Sequence, residues 1–345
     1  MQSKQVTKSK QMTNKSIFIT GGAGYAGSRL VPQLIDKGYK VTVYDIMYFG
    51  SDFLPKSKNL NIIEGDIRDT PKLESACKDH DIFLNLACIS NDTSFAIDEK
   101  LSTSVNLDAF EPMVLAAKRS KIRRFIYASS SSVYGVSDQK NVKEDHPLVP
   151  LTLYNKYKGL CEPMLLKHTD KNFEGVIFRP ATLCGYAPRQ RFDLSVNILT
   201  NHAVNKKKIT VFGGDQLRPN LHIQDYCDLI EKLILAKSEK VCNQIFNVGY
   251  QNMSIKEIAQ LVKKVVQTEF PDYGEIPIIT TKSDDNRSYH INSDKVKEVL
   301  GFEPVKSIED AVTELCRSFK KNLFQNTFEN DFYFNVKKLK NLKAS

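Results

Sequence analysis

Residues 16–27 of the chain, S-I-F-I-T-G-G-A-G-Y-A-G, decide its fold. A short apolar run ends in a cluster of glycines, and helix-forming sequence follows from about Tyr25. This order predicts a buried strand, a tight turn and a helix. Gly21, Gly24 and Gly27 suit such a turn because its backbone conformation, the approach of a diphosphate and the packing of helix on strand all exclude side chains. With the free N–H groups at the helix start, they predict a dinucleotide site; the alternative is an ordinary strand-to-helix turn.

An acidic residue closes the next apolar run, residues 40–45 (K-V-T-V-Y-D). Asp45 follows the glycines by about 20 residues, where a carboxylate accepts hydrogen bonds from the adenosine ribose of a dinucleotide. A carboxylate there repels a 2′-phosphate, so the sequence favours NAD over NADP. The alternative role of Asp45 is to cap the following loop.

Apolar runs and helical patterns alternate through the first half of the chain. Further strands are predicted at 60–66, 81–87, 124–130 and 175–180, and helices at 28–37, 71–78, 101–120 and 152–168. This alternation predicts an α/β fold with a Rossmann-type, doubly wound parallel sheet, in which ligands bind beyond the carboxyl ends of the strands. The pattern changes after Gly185, and a helical run is predicted from 189 to 205. We assign residues 15–185 to an NAD-binding domain, with returning segments near 215–250, and residues 186–325 mainly to a smaller, interleaved α/β substrate domain.

The net charge of +9 is concentrated at the two ends of the chain. Residues 1–15 and 332–345 each carry four lysines and no acidic residue, which together supply eight of the nine charges. Residues 1–14 and 326–345 are therefore predicted to be solvated basic tails, the alternative being a tether to nucleic acid or an anionic surface. The nearly neutral body disfavours a nucleic-acid partner.

Cysteine usage and hydropathy indicate the cellular compartment and bear on membrane and metal binding. The seven cysteines include no C-x-x-C pair, which indicates buried thiols in a reducing compartment and offers no spacing typical of a metal site. No apolar run approaches the ~20 residues of a membrane helix, and the N-terminus lacks the apolar segment of a signal peptide. We therefore expect a cytoplasmic protein without a membrane partner or a metal.

Tyr154 and Lys158 lie four residues apart on a predicted helix, so they share one face. A lysine ammonium and a nicotinamide cation both favour the phenolate, which lowers the pKa of the tyrosine toward neutral pH. Tyr154 is then able to take a proton from a sugar hydroxyl, or return one, during hydride transfer. Ser130, at the carboxyl end of the neighbouring strand, is placed to share a hydrogen bond with the same oxygen. The alternative is an amphipathic surface helix beside a polar loop.

With these residues in place, the chain resembles the extended short-chain dehydrogenase/reductase family, in its nucleotide-sugar epimerase/dehydratase branch. The resemblance runs from about residue 15 to about residue 311. It is carried by T-G-G-A-G-Y-A-G (20–27), Asp45, G-D-I-R-D (65–69), N-L-A (85–87), Y-A-S-S-S-S-V-Y-G (127–135), Y-N-K-Y-K (154–158), F-R-P-A-T (178–182), L-R-P-N-L-H-I-Q-D (217–225), F-N-V-G (246–249) and D-N-R-S-Y (285–289).

The resemblance implies roles for three groups of residues. The catalytic set is Ser130, Tyr154 and Lys158. The cofactor groove is formed by Gly21, Gly24, Tyr25, Ala26, Gly27, Asp45, Asp66, Ile67, Leu86, Ala87, Asn106, Ser129, Tyr154, Lys158 and Pro180. The substrate side is formed by Ser131, Ser132, Thr182, Arg189, Arg191, Arg218 and Arg287. Within it, Arg218 and Arg287 are expected to hold a diphosphate, while an exposed helix start is the alternative for Arg189 and Arg191.

The resemblance implies an NAD-dependent enzyme that acts on a nucleotide-diphosphate sugar. Ser131 and Ser132 stand where family members that eliminate water usually carry Asp-Glu, and two hydroxyls are a poor acid and base for elimination. We expect a homodimeric 4-epimerase, with a C4 dehydrogenase or ketoreductase as the alternative and a dehydratase or decarboxylase less favoured. A regulatory dinucleotide sensor would keep the glycine turn but usually lose the Tyr154–Lys158 pair.

Overall fold

The computed structural model describes residues 15–137, 139, 141–282 and 288–344. The strands within these ranges are β1 (Ser16–Thr20), β2 (Lys40–Asp45), β3 (Leu60–Glu64), β4 (Ile82–Asn85), β5 (Arg124–Ala128), β6 (Glu174–Pro180), β7 (Thr182–Cys184), β8 (Ile209–Phe212), β9 (Leu217–His222), β10 (Gln244–Val248), β11 (Gln251–Ser254) and β12 (Ile278–Thr281). The α-helices are α1 (Tyr25–Asp36), α2 (Thr70–Ala76), α3 (Asp92–Phe95), α4 (Glu99–Thr103), α5 (Phe110–Arg119), α6 (Leu153–Leu166), α7 (Ser195–Lys206), α8 (Ile223–Leu235), α9 (Ser238–Val241), α10 (Ile255–Glu269), α11 (Asp294–Leu300), α12 (Ile308–Lys320) and α13 (Asn335–Ala344).

The predicted doubly wound sheet is confirmed. Seven parallel strands lie in the order β3-β2-β1-β4-β5-β6-β10. Because successive side chains of a strand point to opposite faces, Phe18 enters one apolar cluster while Ile17 and Ile19 enter the other. The strand order reverses between β1 and β4, which is where ligands bind in sheets of this kind.

The second half of the chain adds small sheets and its own apolar cluster. Strands β11, β9 and β7 form one sheet and β12 pairs with β8, and helices α7, α10 and α12 bury Val196, Ile258 and Val312 together. Strand β10 returns to the main sheet beside β6. Helix α8 packs on α1, where Gln33 Nε2 donates to Asp228 Oδ1 at 2.8 Å.

The carboxyl-terminal segment differs from the solvated tail expected from its lysines. A 3-10 turn at Asp331–Tyr333 leads into helix α13. Tyr333 is 6% exposed and packs with Phe192 and Phe324, whereas Lys337 and Lys340 remain exposed. Burial of aromatic rings contributes enough free energy to order this segment while its charged side chains stay in water.

Two helices differ from their predicted extents: one is interrupted and the other begins later. The helix expected at 101–120 is divided by a π-helical turn, Ser104–Asp108, between α4 and α5. The run expected from 189 becomes a helix only at Ser195. Among the helices of the described residues, none is both long and apolar enough to cross a membrane.

Candidate active site

A cavity of about 670 Å³ opens beyond the carboxyl ends of β1, β2, β4 and β5. Its volume is in the range of sites that hold small molecules. The glycine turn lines the cavity together with residues of the second half of the chain, including Arg191 and Arg218. The cavity therefore lies at the reversal of strand order between β1 and β4.

The glycine turn fits a diphosphate. Gly21 has φ 74°, and a Cβ there would lie 2.6 Å from the backbone nitrogen of Ala87. A Cβ on Gly27 would lie 2.3 Å from the carbonyl oxygen of Gly22, so helix α1 packs directly on the turn. At Gly24, the residue before α1, a Cβ would meet only the Gly21 carbonyl oxygen within 4 Å. A ligand is thus able to approach the backbone at the helix N-terminus, where N–H groups favour phosphate.

Asp45 lies in the cavity wall at the end of β2. Its carboxylate accepts hydrogen bonds from the backbone N–H groups of Ala23, at 3.0 Å, and Met47, at 2.9 Å. Burial raises the pKa of Asp45, although these hydrogen bonds and the nearby charge of Arg189 oppose that effect. Both carboxylate oxygens keep a lone pair for a ribose hydroxyl, as a dinucleotide site requires.

Asp66 lies in the same wall, after β3. Burial raises its pKa, but the hydrogen bonds from Arg68 outweigh that effect and leave the pKa lowered. The remaining cavity-lining residues from the predicted cofactor set are Tyr25, Ala26, Ile67, Leu86, Ala87, Ser129 and Pro180. The Ser129 hydroxyl itself donates to Glu162 Oε1 at 2.6 Å, so this side chain is already engaged.

Ser130, Tyr154 and Lys158 line one end of the cavity. Lys158 is 6% exposed, and its Nζ donates to the carbonyl oxygen of Ala128 at 2.8 Å. In the protein without its cofactor, burial raises the pKa of the Tyr154 phenol well above its ordinary value, and Arg191 only partly opposes that effect; the expected lowering depends also on the nicotinamide cation. The protein alone therefore keeps Tyr154 protonated at neutral pH, because desolvation disfavours the phenolate.

A chain of hydroxyls orients Ser130. Ser132 Oγ donates to Asn155 Oδ1 at 2.5 Å and lies 2.7 Å from Ser130 Oγ. A serine hydroxyl has one proton, so Ser130 is the donor in the contact with Ser132, and it accepts from the Ser132 backbone N–H at 3.1 Å. Ser130 must turn its proton away from Ser132 before it donates to a substrate oxygen.

The two predicted substrate arginines of the β7–α7 connection both line the cavity but have different neighbours. Arg191 belongs to the Tyr154 end: its Nε pairs with Asp193 at 2.8 Å and its Nη1 donates to Ser90 Oγ at 3.0 Å. Its Nη2 is buried without a hydrogen-bond partner among the described residues. Arg191 therefore keeps an unpaired donor near Tyr154.

Arg189 does not lie on the substrate side, where it was expected. It is 1% exposed, its guanidinium carbon stands 3.5 Å from the centroid of the Phe49 ring, and its charge acts on Asp45. Burial, followed by the charge of Arg191, lowers the pKa of Arg189 to about 9, so the side chain stays charged at neutral pH. The backbone N–H of Arg189 donates to Ser28 Oγ at 3.1 Å, which holds this residue against helix α1.

Asn106 is also placed differently from expectation. Its side chain donates to the carbonyl oxygen of Ile89 at 2.9 Å and accepts from the Ile89 N–H at 2.8 Å. These bonds occupy both ends of the amide, so Asn106 holds the loop after β4 instead of lining the cavity. The π-helical turn that contains Asn106 is a distortion often found at functional sites.

Of the other residues predicted to lie on the substrate side, the structure places four in the cavity and does not describe the fifth. Ser131, Ser132, Thr182 and Arg218 line the cavity, and Ser131 Oγ lies 3.4 Å from Tyr289 Oη. Arg287 lies outside the described residues. In the described part of the chain no cluster of three or more His, Cys, Asp or Glu side chains suited to a metal is found.

Several lining residues were missed by the sequence analysis. They include Phe49, Ser90, Asp193, Asn335, Lys338 and Leu339. The aromatic run F-Y-F at 332–334 was the available signal that the last segment packs on the body. Nothing in the sequence indicated which surface that segment contacts.

Comparison with known proteins identifies the class. Residues 17–249 match the model of the NAD dependent epimerase/dehydratase family, and the chain belongs to that family. It is 26% identical to the UDP-glucose 4-epimerase of Rhizobium meliloti over 88% of this chain and 96% of that protein. It is 24% identical to the dTDP-glucose 4,6-dehydratase of an Actinoplanes species, over 89% and 98%. The structure of MoeE5 in complex with UDP-glucuronic acid and NAD superposes with a TM-score of 0.77 at 22% identity, over 89% of this chain and 99% of that one.

These findings define an enzyme of the nucleotide-sugar epimerase, dehydratase and decarboxylase superfamily with NAD as its cofactor. The cradle at Gly24 and the carboxylate of Asp45 fit that cofactor. The relatives differ in reaction, so family membership leaves the reaction open.

Proposed function

We propose that the protein is an NAD-dependent nucleotide-sugar 4-epimerase that works through a transient 4-keto sugar. The observation that carries the proposal is that two serines, Ser131 and Ser132, line the cavity beside Ser130 and Tyr154. Ser132 donates to Asn155, and Ser131 lies against Tyr289. Neither residue supplies the carboxyl group that elimination of water requires, which favours a reaction in which the keto sugar is reduced again.

Tyr154 performs the proton transfer in this proposal. Bound NAD supplies the acceptor and donor of hydride, together with a positive charge beside the phenol. With that positive charge and the Lys158 ammonium favouring the phenolate, Tyr154 would first lose its own proton to solvent; the phenolate would then accept the proton of the C4 hydroxyl and later return it to the oxygen of the same carbon. The buried Lys158 ammonium, fixed by Ala128, contributes positive charge at this end of the cavity. Ser130 turns from Ser132 and donates to the C4 oxygen.

Two arginines suit the rest of the substrate. Arg218 lines the cavity and is proposed to bind the diphosphate, since a guanidinium forms paired hydrogen bonds with phosphate oxygens. Arg191 presents its Nη2 near Tyr154 and is proposed to bind a sugar oxygen. A diphosphate held at one end leaves the keto sugar free to present its other face.

The reaction is tested with UDP-, GDP-, dTDP- and CDP-sugars incubated with purified enzyme in deuterated water. The proposal predicts a C4 epimer that carries no solvent deuterium and forms without net NADH. Tyr154→Phe is the control, because it removes the acid/base and should abolish the product. Net NADH would instead indicate a C4 dehydrogenase, and deuterium at C5 or C6 would indicate elimination; either result would overturn the epimerase proposal.

We also propose that the enzyme is a homodimer. Leu148, Val149, Leu151 and Leu160 form an apolar patch on helix α6 and the loop before it, and each is between 36% and 51% exposed. An apolar patch of this kind is typical of a protein interface. A second copy of the chain is the partner that the proposal names.

A further inference from the structure

Arg189 has an unusual environment for an arginine. The charged group is buried, yet the described residues give it no direct ion pair with a carboxylate. Its Nη2 donates to Asn335 Oδ1 at 2.5 Å, and its Nε has no hydrogen-bond partner among the described residues. A buried, unpaired donor on a cation is costly. Arg189 lines the cavity, so an acceptor oxygen of a ligand there would offset part of the cost of burying its charge.

Phe49 and Asp45 indicate which part of a ligand meets Arg189. Phe49 stacks under the guanidinium and lines the cavity, and both residues follow or end strand β2. The end of this strand faces the adenosine half of a dinucleotide in folds of this order. Arg189 therefore lies beside the adenosine half of the dinucleotide site.

Asn335 fixes this arrangement from the carboxyl-terminal segment, residues 331–344. Besides accepting from Arg189, its side chain donates to Ser90 Oγ at 2.8 Å, and its backbone N–H donates to Asp193 Oδ2 at 3.1 Å. One residue thus joins the loop after β4 to the connection that carries both arginines. Lys338 and Leu339, one turn further along α13, line the cavity itself.

The same segment is anchored on both sides of the cavity. Phe332 packs edge-on against Phe49 and Phe53, at ring distances of 6.3 and 6.0 Å, beyond β2. At the other end, Lys343 pairs with Asp98 at 3.3 Å, beyond β4. The segment therefore crosses between the two loops that flank a bound dinucleotide.

We propose that Arg189 is a cofactor-binding residue, whose guanidinium donates to an oxygen on the adenosine half of NAD, and that Asn335 is its positioning residue. The carboxyl-terminal segment then keeps NAD bound between turnovers. This inference rests on the NAD dependence of the family and not on the 4-epimerase proposal.

The test measures NAD release in the absence of any sugar. Full-length protein is saturated with labelled NAD, excess unlabelled NAD is added, and the label that remains bound is followed with time. Loss of one charge-assisted hydrogen bond predicts about 10- to 100-fold weaker NAD binding, seen mainly as faster release, in Arg189→Met and in Asn335→Ala. ADP-ribose, which keeps the adenosine half, should lose affinity in parallel.

Lys340→Ala is the matched control, because Lys340 lies on the same helix and is exposed. It should release NAD at the wild-type rate. The unfolding midpoint of cofactor-free protein should be nearly the same in Asn335→Ala and wild type, so that a general loss of structure is separated from a loss of positioning. Wild-type release in Asn335→Ala, or equal acceleration by Lys340→Ala, would overturn the inference. Retained NAD without epimerisation would overturn only the proposed reaction.

Discussion

Tyr154 is the residue on which the proposed proton transfer depends. Tyr154→Phe should lower turnover by about 10²–10⁴-fold, the usual worth of a positioned acid/base, while NAD binding and folding are kept. Ser130→Ala should cost less, because it removes one polarising hydrogen bond and leaves the proton donor in place. Turnover on the substrate found by the panel measures both effects. Nearly wild-type turnover in Tyr154→Phe would exclude Tyr154 as the acid/base.

Asp45 should determine the choice of dinucleotide. The wild type is expected to bind NAD more tightly than NADP by roughly tenfold or more, because a 2′-phosphate beside a carboxylate adds unpaired like charge. Asp45→Ser should narrow that ratio, all the more since Arg189 stands close by and suits a phosphate. Titration calorimetry with both cofactors gives the ratio, and the exposed Asp52→Ser serves as control. Equal affinities in the wild type would contradict the prediction.

Local spacing explains which site residues could be predicted. The glycines, Asp45 and the Tyr154–Lys158 pair depend on neighbours within one strand or one helix turn, so their placement follows from the sequence. Arg189 and Asn106 depend on Phe49, Asn335 and Ile89, which are distant in the chain. No pattern in one sequence specifies such partners, and both residues were assigned by resemblance to places they do not occupy.

At the scale of elements, Glu174 joins the start of strand β6 to β5 and α9. Its carboxylate is 2% exposed, pairs with Arg124 at 2.6 Å and Arg123 at 2.9 Å, and accepts from Ser238. Glu174→Gln should lower the free energy of unfolding by about 3 kcal/mol, because it leaves the buried Arg124 without a counter-charge. Urea unfolding measures the loss, and the exposed Glu64→Gln should leave stability unchanged.

The effect of Glu174 should depend on pH. Burial raises its pKa, but the hydrogen bonds from Ser238, Arg123 and Arg124 outweigh burial and leave the pKa lowered. Because the folded pKa lies below the unfolded one, the stabilisation is complete above the ordinary value of about 4.3 and disappears as the pH falls through the folded pKa. Wild type and Glu174→Gln should therefore converge in acid; a constant difference down to about pH 2 would contradict this account.

The elements of the main sheet were predictable because buried parallel strands are continuous apolar runs. The carboxyl-terminal segment was not, since its lysines suggested a solvated tail and its aromatic residues are few. The structure shows that Tyr333 and Phe332 decide the outcome, because they bury against Phe192 and against Phe49 and Phe53. The lysines correctly predicted that one side of α13 is exposed. They gave no indication that its other side packs against the body of the protein.

At the scale of the whole molecule, the apolar patch on α6 predicts the mass in solution. Light scattering should give twice the mass of one chain. Leu160→Arg should shift the protein toward the monomer, since a charge in an apolar interface is costly to desolvate. Leu235→Arg is the control, because Leu235 is also exposed but lies on α8. A monomeric wild type would overturn the dimer proposal.

The two hydrogen bonds between Asn106 and Ile89 pair the backbone of the loop after β4 in the way that a neighbouring strand pairs the backbone of a sheet. The side-chain amide satisfies both the N–H and the carbonyl of Ile89, as a neighbouring strand would. In hydrogen–deuterium exchange, the Ile89 amide should therefore exchange as slowly as the amides of β4, as an isolated protected site within a loop. Asn106→Ala should make that one amide exchange quickly while the strand stays protected, and fast exchange in the wild type would show that the loop opens independently of the sheet.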